Sequence, residues 1–277
     1  MADSRPIIEL IAERIARDDF KLPVFNPVAL EIQQTIEQDA DLEEVEKLIL
    51  KDQAIASEIL RVANSSFFAG LSKLQNIRQA LARLGVNRVF SLVMIATQKQ
   101  AFRARNPFLA SLMVRLWQHA VASAGACRWV AVKAGYGQLA ESAFLAGLLH
   151  DLGSLVNLQV MDEVAHEPAM EELTEGVIQE VIDTTHTGYG FQIMQRWNLP
   201  EEYALAARDH HLENPDHPPL IQIVRLVDAA CKKVGIGLTR DPGLVLETMP
   251  EALVLGIKDV HLAELEIELE EMIHQFG

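Results

Sequence analysis

Apolar residues recur along this chain at the three- and four-residue spacing of one helix face, and nowhere in the sustained alternation of a strand. Ile7, Ile8, Ile11 and Ile15 make a one-faced helix over residues 4–17. The run KLPVFNP breaks it at Pro23 and Pro27, and the period resumes from Val28 to Ile36. In DADLEEVEKLILKD, Asp41 with Glu44 three residues on has the form of a capping box, so another helix starts there. The pattern predicts further helices over residues 53–65, 75–84, 86–100, 109–134, 138–150, 152–160, 185–197, 200–211, 216–234 and 258–275. Turns fall at Gly70, Gly85, RNP, Gly135–Gly137, NLP, ENPDHPP and RDPG. The expected fold is all-α. The mildest boundary, RARNPF near residues 103–108, separates an N-terminal helical layer from a histidine-bearing bundle. The two are expected to pack directly as subdomains, the N-terminal layer acting as cover and partner surface.

Composition narrows the function classes. A 49% hydrophobic fraction in 277 residues supports a substantial core. Lys+Arg 24 against Asp+Glu 39 gives a formal charge of −15, which opposes nonspecific binding to nucleic acid or to an anionic membrane. Two separated cysteines, Cys127 and Cys231, form no CxxC motif and suggest no disulfide framework. The N-terminus has no signal-peptide core, and no uncharged apolar run reaches the roughly 18 residues of a membrane span. The expectation is a cytoplasmic protein with no nucleic-acid or membrane partner.

The chemistry sits in the histidines. All nine lie after residue 118. His119, His150, His186, His210 and His211 occur in apolar helical contexts, and Asp151 and Asp228 sit among apolar neighbours. A histidine beside a carboxylate in the apolar run FLAGLLHDLGSLVNLQV is costly to bury unless both groups are paired, protonated or bound. Imidazoles and carboxylates drawn from several helices are the donor set from which helical bundles build metal sites. Mixed nitrogen and oxygen donors suit Fe, Mn, Ni or Zn better than Ca. His166, His217, His261 and His274 read as ordinary surface or hydrogen-bonded side chains, and Trp117 and Trp197 as packing residues. Asn64 and Ser65 read as a helix end bonded to a neighbouring loop. The glycines of GLSKLQN and KAGYGQL follow no strand, so neither is a phosphate loop.

The order His, His-Asp, His, His-His, Asp resembles the HD superfamily of metal-dependent phosphohydrolases. Within it, LPVFNPVALEI, LILKDQAIASEILRVANSSFF, IRQALARLGVNRV, LWQHA, FLAGLLHDLG and HTGYGFQIMQRWNLPEEYALAARDHH resemble the HDOD (HD-related output domain) branch, from about Leu22 to His211. The resemblance divides the chain into an N-terminal helix (1–21), an HDOD domain (22–213, split at 105/106) and C-terminal helices completing the bundle (214–277). It implies an HD-like helical bundle holding one or two divalent ions. Carried over residue by residue, the ligands are His119, His150, Asp151, His186, His210, His211 and Asp228, with Asp151 as the bridging, catalytic carboxylate. If the protein is an enzyme, the implied substrate is a phosphorylated small molecule or nucleotide. The implied context is signal transduction with a protein partner.

Three departures stand beside this. The related HD-GYP hydrolases of cyclic dinucleotides carry a lysine three residues after the aspartate, where this chain has Ser154. Their Gly-Tyr-Pro loop is replaced by LENPDHPPL. Within HDOD, the usual Asp-Pro of the N-terminal half is Asp52-Gln53. Three readings stay open: a weak phosphohydrolase, a catalytically silent interaction module, and an iron-dependent oxygenase.

Overall fold

The structure is a computed structural model describing residues 7–16, 27–38, 41–65, 73–165 and 174–276. Among these, the regular structure is helical, with no strand. The chain forms two compact units, Met1–Pro23 with Phe102–Glu270 and Val24–Ala101 with Glu271–Gly277. The first helix, α1 (Ile7–Ala16), belongs to the larger unit, where it packs on a later helix with Ile11 fully buried. The expected breaker Pro23 and the Gly70 turn lie outside the described residues.

The smaller unit holds α2 (Pro27–Glu37), α3 (Leu42–Leu50), α4 (Gln53–Ala63), α5 (Ile77–Leu84) and α6 (Val86–Gln98). Asp41 caps α3 by accepting from the backbone of Glu43 and Glu44, and Asp52 caps α4 from Ala54 and Ile55. Each cap satisfies donors that the first helical turn leaves without partners. The α6 helix packs on α2, α4 and α5, with every residue from Val89 to Gln98 buried. At the end of α4, the Asn64 amide donates to Leu60 O and Leu74 O, and its oxygen accepts from Leu74 N at 2.8 Å. That is the helix-end and loop-bonding role expected of it.

The larger unit continues with α7 (Pro107–Lys133), α8 (Ala140–Leu149), α9 (Leu152–Val164), α10 (Glu175–Arg196), α11 (Glu201–Asp209), α12 (Pro219–Val234), α13 (Pro250–Val254) and, as far as Glu270, α14 (Asp259–Phe276). Asn106 caps α7, and Pro107 sits in its first turn, where a missing N–H costs nothing. The middle of α7 is buried from His119 to Cys127, as befits a helix packed against α8, α9 and α12. Its start is tied to α9, because the Asp162 carboxylate accepts from the backbone of Arg105 and Asn106 at 2.8–3.0 Å. The apolar stretch Gly137–Val164 is long enough by composition to cross a membrane, but 78% of its qualifying window is buried inside the protein.

One shifted helix start and one added helix are the main differences from the sequence expectation. The α10 helix starts at Glu175, ten residues before the expected 185, so His186 lies mid-helix. Thr184 and Thr185 masked the pattern, yet their hydroxyls donate to the Glu180 and Val181 carbonyls four residues back, both at 2.7 Å. The five-residue α13 is too short to show a period.

Gly153 lets α9 meet α10. A Cβ there would stand 1.9 Å from His186 O and 2.8 Å from Gly190 N, both backbone atoms. Gly153→Ala should therefore force α9 and α10 apart, at a cost of about 2–3 kcal/mol as for other overpacked sites. A urea-denaturation midpoint equal to wild type would contradict this close approach.

Candidate metal centre

All seven residues nominated from the sequence come together in the larger unit. His119 projects from the middle of α7, and His186 from the middle of α10. His150 and Asp151 occupy the break between α8 and α9, and His210 and His211 follow the last turn of α11. Asp228 lies on α12. Both adjacent pairs thus sit at helix ends, not on a continuous helical surface. Of the histidines set aside, His217 and His261 join neither group below. His166 and the side chain of His274 lie outside the described residues.

Four imidazoles are oriented alike. Nδ1 of His119, His150, His186 and His210 faces the carbonyls of Ile236, Gly147, Ile182 and Ala207 at 3.1, 2.8, 2.6 and 2.8 Å. A carbonyl only accepts, so each Nδ1 carries the proton and each Nε2 is left to face inward. The inward nitrogens converge: His119 Nε2 is 3.1 Å from His150 Nε2, and His186 Nε2 is 3.3 Å from His210 Nε2 and 3.1 Å from His211 Nε2. Two lone pairs that close repel unless a proton or a cation lies between them.

The carboxylates join two groups. Asp151 Oδ2 is 3.5 Å from His119 Nε2, while its Oδ1 is 3.7 Å from both His186 Nε2 and His210 Nε2. Asp228 Oδ1 stands 3.4 Å from His119 Nε2 and 3.8 Å from His150 Nε2, and its Oδ2 is 3.9 Å from His211 Nδ1. The two clusters that could hold an ion are His119–His150–Asp151 and His186–His210–His211. Donors about 2.1 Å from a shared ion stand about 3.0 Å apart at right angles and about 3.4 Å at the tetrahedral angle. The observed spacings match that edge length, and a proton on each Nδ1 held by a carbonyl is the outer-shell arrangement of metal-binding histidine. The residues fit a divalent ion.

Electrostatics point the same way. Burial opposes ionisation of Asp151 and Asp228, yet the surrounding imidazoles, His150 foremost, hold both well below the usual carboxylate range. Burial likewise works to lower His119 and His150. The Cys231 sulfur and Asp151 outweigh it at His119, and Asp151 and Asp228 at His150, and each rises to about 9. His210 falls well below its ordinary value through burial and the repulsion of His150 and His211. The carboxylates demand positive charge, and protons supply part of it when nothing else does.

The sequence reading missed the residues that hold this arrangement. Arg115, one turn before His119, donates to Gly237 O and Leu238 O at 3.1 and 2.9 Å, fixing the loop whose Ile236 carbonyl orients His119. Gly237 has φ +124, and a Cβ there would come within 3.2 Å of His119 Nδ1. Arg225, three residues before Asp228, donates to His210 O at 3.0 Å and pairs with Glu251 of α13, whose side chain is 1% exposed. An arginine inside the apolar run IVRLVDAAC was the available signal. Trp117 is buried edge-on to Phe102, as a packing residue should be, whereas Trp197 is only half-buried.

An all-helical bundle whose core carries paired histidine and aspartate clusters defines the class. The chain belongs to the HDOD domain family, which it matches over residues 22–213. It is similar to a crystal structure of a Shewanella amazonensis SB2B protein whose name proposes a metal-dependent phosphohydrolase. That likeness has a TM-score of 0.74 and 22% identity, covering 99% of this chain and 100% of the other. An HDOD domain protein of unknown function from Geobacter sulfurreducens matches with a TM-score of 0.70 and 22% identity, over 96% and 97% of the two chains. An uncharacterized protein of Treponema pallidum (strain Nichols) is 28% identical over 215 residues. That match covers 76% of this chain and 40% of the relative.

Truncating Arg225 would leave the Glu251 carboxylate buried without its partner. Arg225→Met should therefore destabilise the protein by about 3–5 kcal/mol in urea denaturation, and Arg225→Met with Glu251→Leu should recover most of that loss. A double variant no better than the single one would show that the pair does not act as a unit.

Proposed function

We propose that this protein is an HDOD-type signalling protein whose larger unit binds two divalent ions and hydrolyses a phosphate ester weakly. One observation carries the reading: Asp151 turns one carboxylate oxygen to His119 and the other to His186 and His210. A carboxylate so divided would serve both groups if each held an ion. His119, His150 and Asp228 would complete one group, and His186, His210 and His211 the other. The nitrogen and oxygen donors favour Fe, Mn, Ni or Zn.

Bound divalent ions supply Lewis acidity toward a phosphoryl oxygen and an activated water at neutral pH. The chain's own residues do the rest. The carbonyls of Ile236, Gly147, Ile182 and Ala207 hold the imidazole protons on Nδ1 and keep the Nε2 lone pairs inward. Half-exposed His211, whose side chain is 51% accessible, marks the edge by which a substrate reaches the clusters.

Ser154 favours a second reading, a catalytically silent interaction module. It is 1% exposed and stands where the related hydrolases carry a phosphate-contacting lysine. A buried hydroxyl brings no charge to a phosphate.

Elemental analysis after reconstitution with Mn, Fe, Ni or Zn should find stoichiometric metal in wild type. Asp151→Ala should lose ions from both groups, whereas His119→Ala should lose chiefly one. Wild type without stoichiometric metal overturns the proposal. With metal present, phosphate release from phosphomonoesters supports the hydrolase, oxygen uptake by the iron form identifies an oxygenase, and neither activity identifies the silent module. Cyclic dinucleotides should turn over weakly or not at all.

A further inference from the structure

A cleft of about 110 Å³ opens onto the two clusters. Asp151, Asp228, His119, His186 and His211 contribute to its lining, and so does Ser154. The rest of its polar lining is Gln179 and Asp183 of α10, Lys232 near the end of α12, and Thr239 of the following loop. Among these side chains, Lys232 alone carries a permanent positive charge. It follows Asp228 by four residues, so the two lie on one stripe of α12.

Three neighbouring cations are engaged, and Arg240, exposed with its side chain against Gly235, stands outside the lining. Lys233 pairs with Glu266 at 2.6 Å, Arg225 with Glu251, and Arg115 holds the Gly237 and Leu238 carbonyls. Lys232 is exposed and makes no ion pair among the described residues. Asp183, a further acidic residue of the lining, accepts from the Gln179 amide at 2.7 Å. Beyond the histidines, the described lining contains no aromatic ring, so a nucleobase would find no indole, phenol or phenyl face on which to stack. Recognition here runs through charge.

We infer that Lys232 is the phosphate-binding residue of this cleft, supplying from α12 the cation that Ser154 does not supply from α9. The ligand class is a small phosphate monoester, bound by its phosphate between Lys232 and the metal clusters. This rests on the metal reading above. An ammonium at that position donates charge-assisted hydrogen bonds to a phosphate oxygen, and the Thr239 hydroxyl is a further donor in the same lining.

The test uses the full chain, reconstituted with manganese, and inorganic phosphate as the probe in isothermal titration calorimetry. Metal content is read first on wild type, Lys232→Met, Lys232→Arg and Lys233→Met, and should be equal in all four. Phosphate affinity should then fall about tenfold or more in Lys232→Met, the size of a lost charge-assisted bond. It should stay near wild type in Lys232→Arg and Lys233→Met. Equal affinity in wild type and Lys232→Met overturns the assignment, as does metal-loaded wild type that binds no phosphate. An equal loss in Lys232→Met and Lys233→Met also overturns it, since general electrostatics would then suffice. Wild type without metal overturns the metal reading, and this inference with it.

Discussion

Two carboxylates set among the apolar helices of the larger unit create a demand for positive charge that the surrounding structure is arranged to meet. Asp151 and Asp228 are each only 19% exposed, and both are ionised. An isolated charge in such a place is far too costly to keep. Five imidazoles answer the demand, and four of them are locked by backbone carbonyls at Nδ1, so that Nε2 is the nitrogen that faces the carboxylates and takes up a proton or a cation. The geometry satisfies the anions only in company with further positive charge.

The remaining features of the unit read as support for that cluster. Gly153 allows α9 to approach α10 closely enough for Asp151 to face His186. Arg115 ties the loop after α12 to α7, so the carbonyl that orients His119 is held in place. Arg225 does the equivalent for His210 while drawing α13 against α12 through Glu251. Each contact joins segments far apart in the chain, so the centre is a product of the whole bundle and not of one motif.

That also explains what could be read in advance. The helices were legible wherever a period of apolar residues ran undisturbed, as in α3, α4 and α12. Residues 175–184 were not, because paired threonines and acidic residues obscure a stripe formed by Ile178, Val181 and Ile182. The seven histidine and aspartate residues were legible because their types are uncommon among apolar neighbours and their order resembles a known arrangement. Arg115 and Arg225 were not, since their meaning lies in partners that sequence spacing does not bring together. Arg115 meets Gly237 across 122 positions. The helix ends at the His150–Asp151 and His210–His211 pairs were legible, since the pattern already broke at residue 151 and stopped at 211.

Those helix ends carry a consequence of their own. His150 and His210 are the C-cap residues of α8 and α11, so two helices terminate at the clusters. Aligned peptide dipoles place roughly half a negative charge at each such end. The N-terminus of α9, capped by Asp151, offsets this at the first cluster, so the excess negative charge falls at the His186–His210–His211 group. A charge carried by the peptide backbone is one that no side-chain substitution there removes.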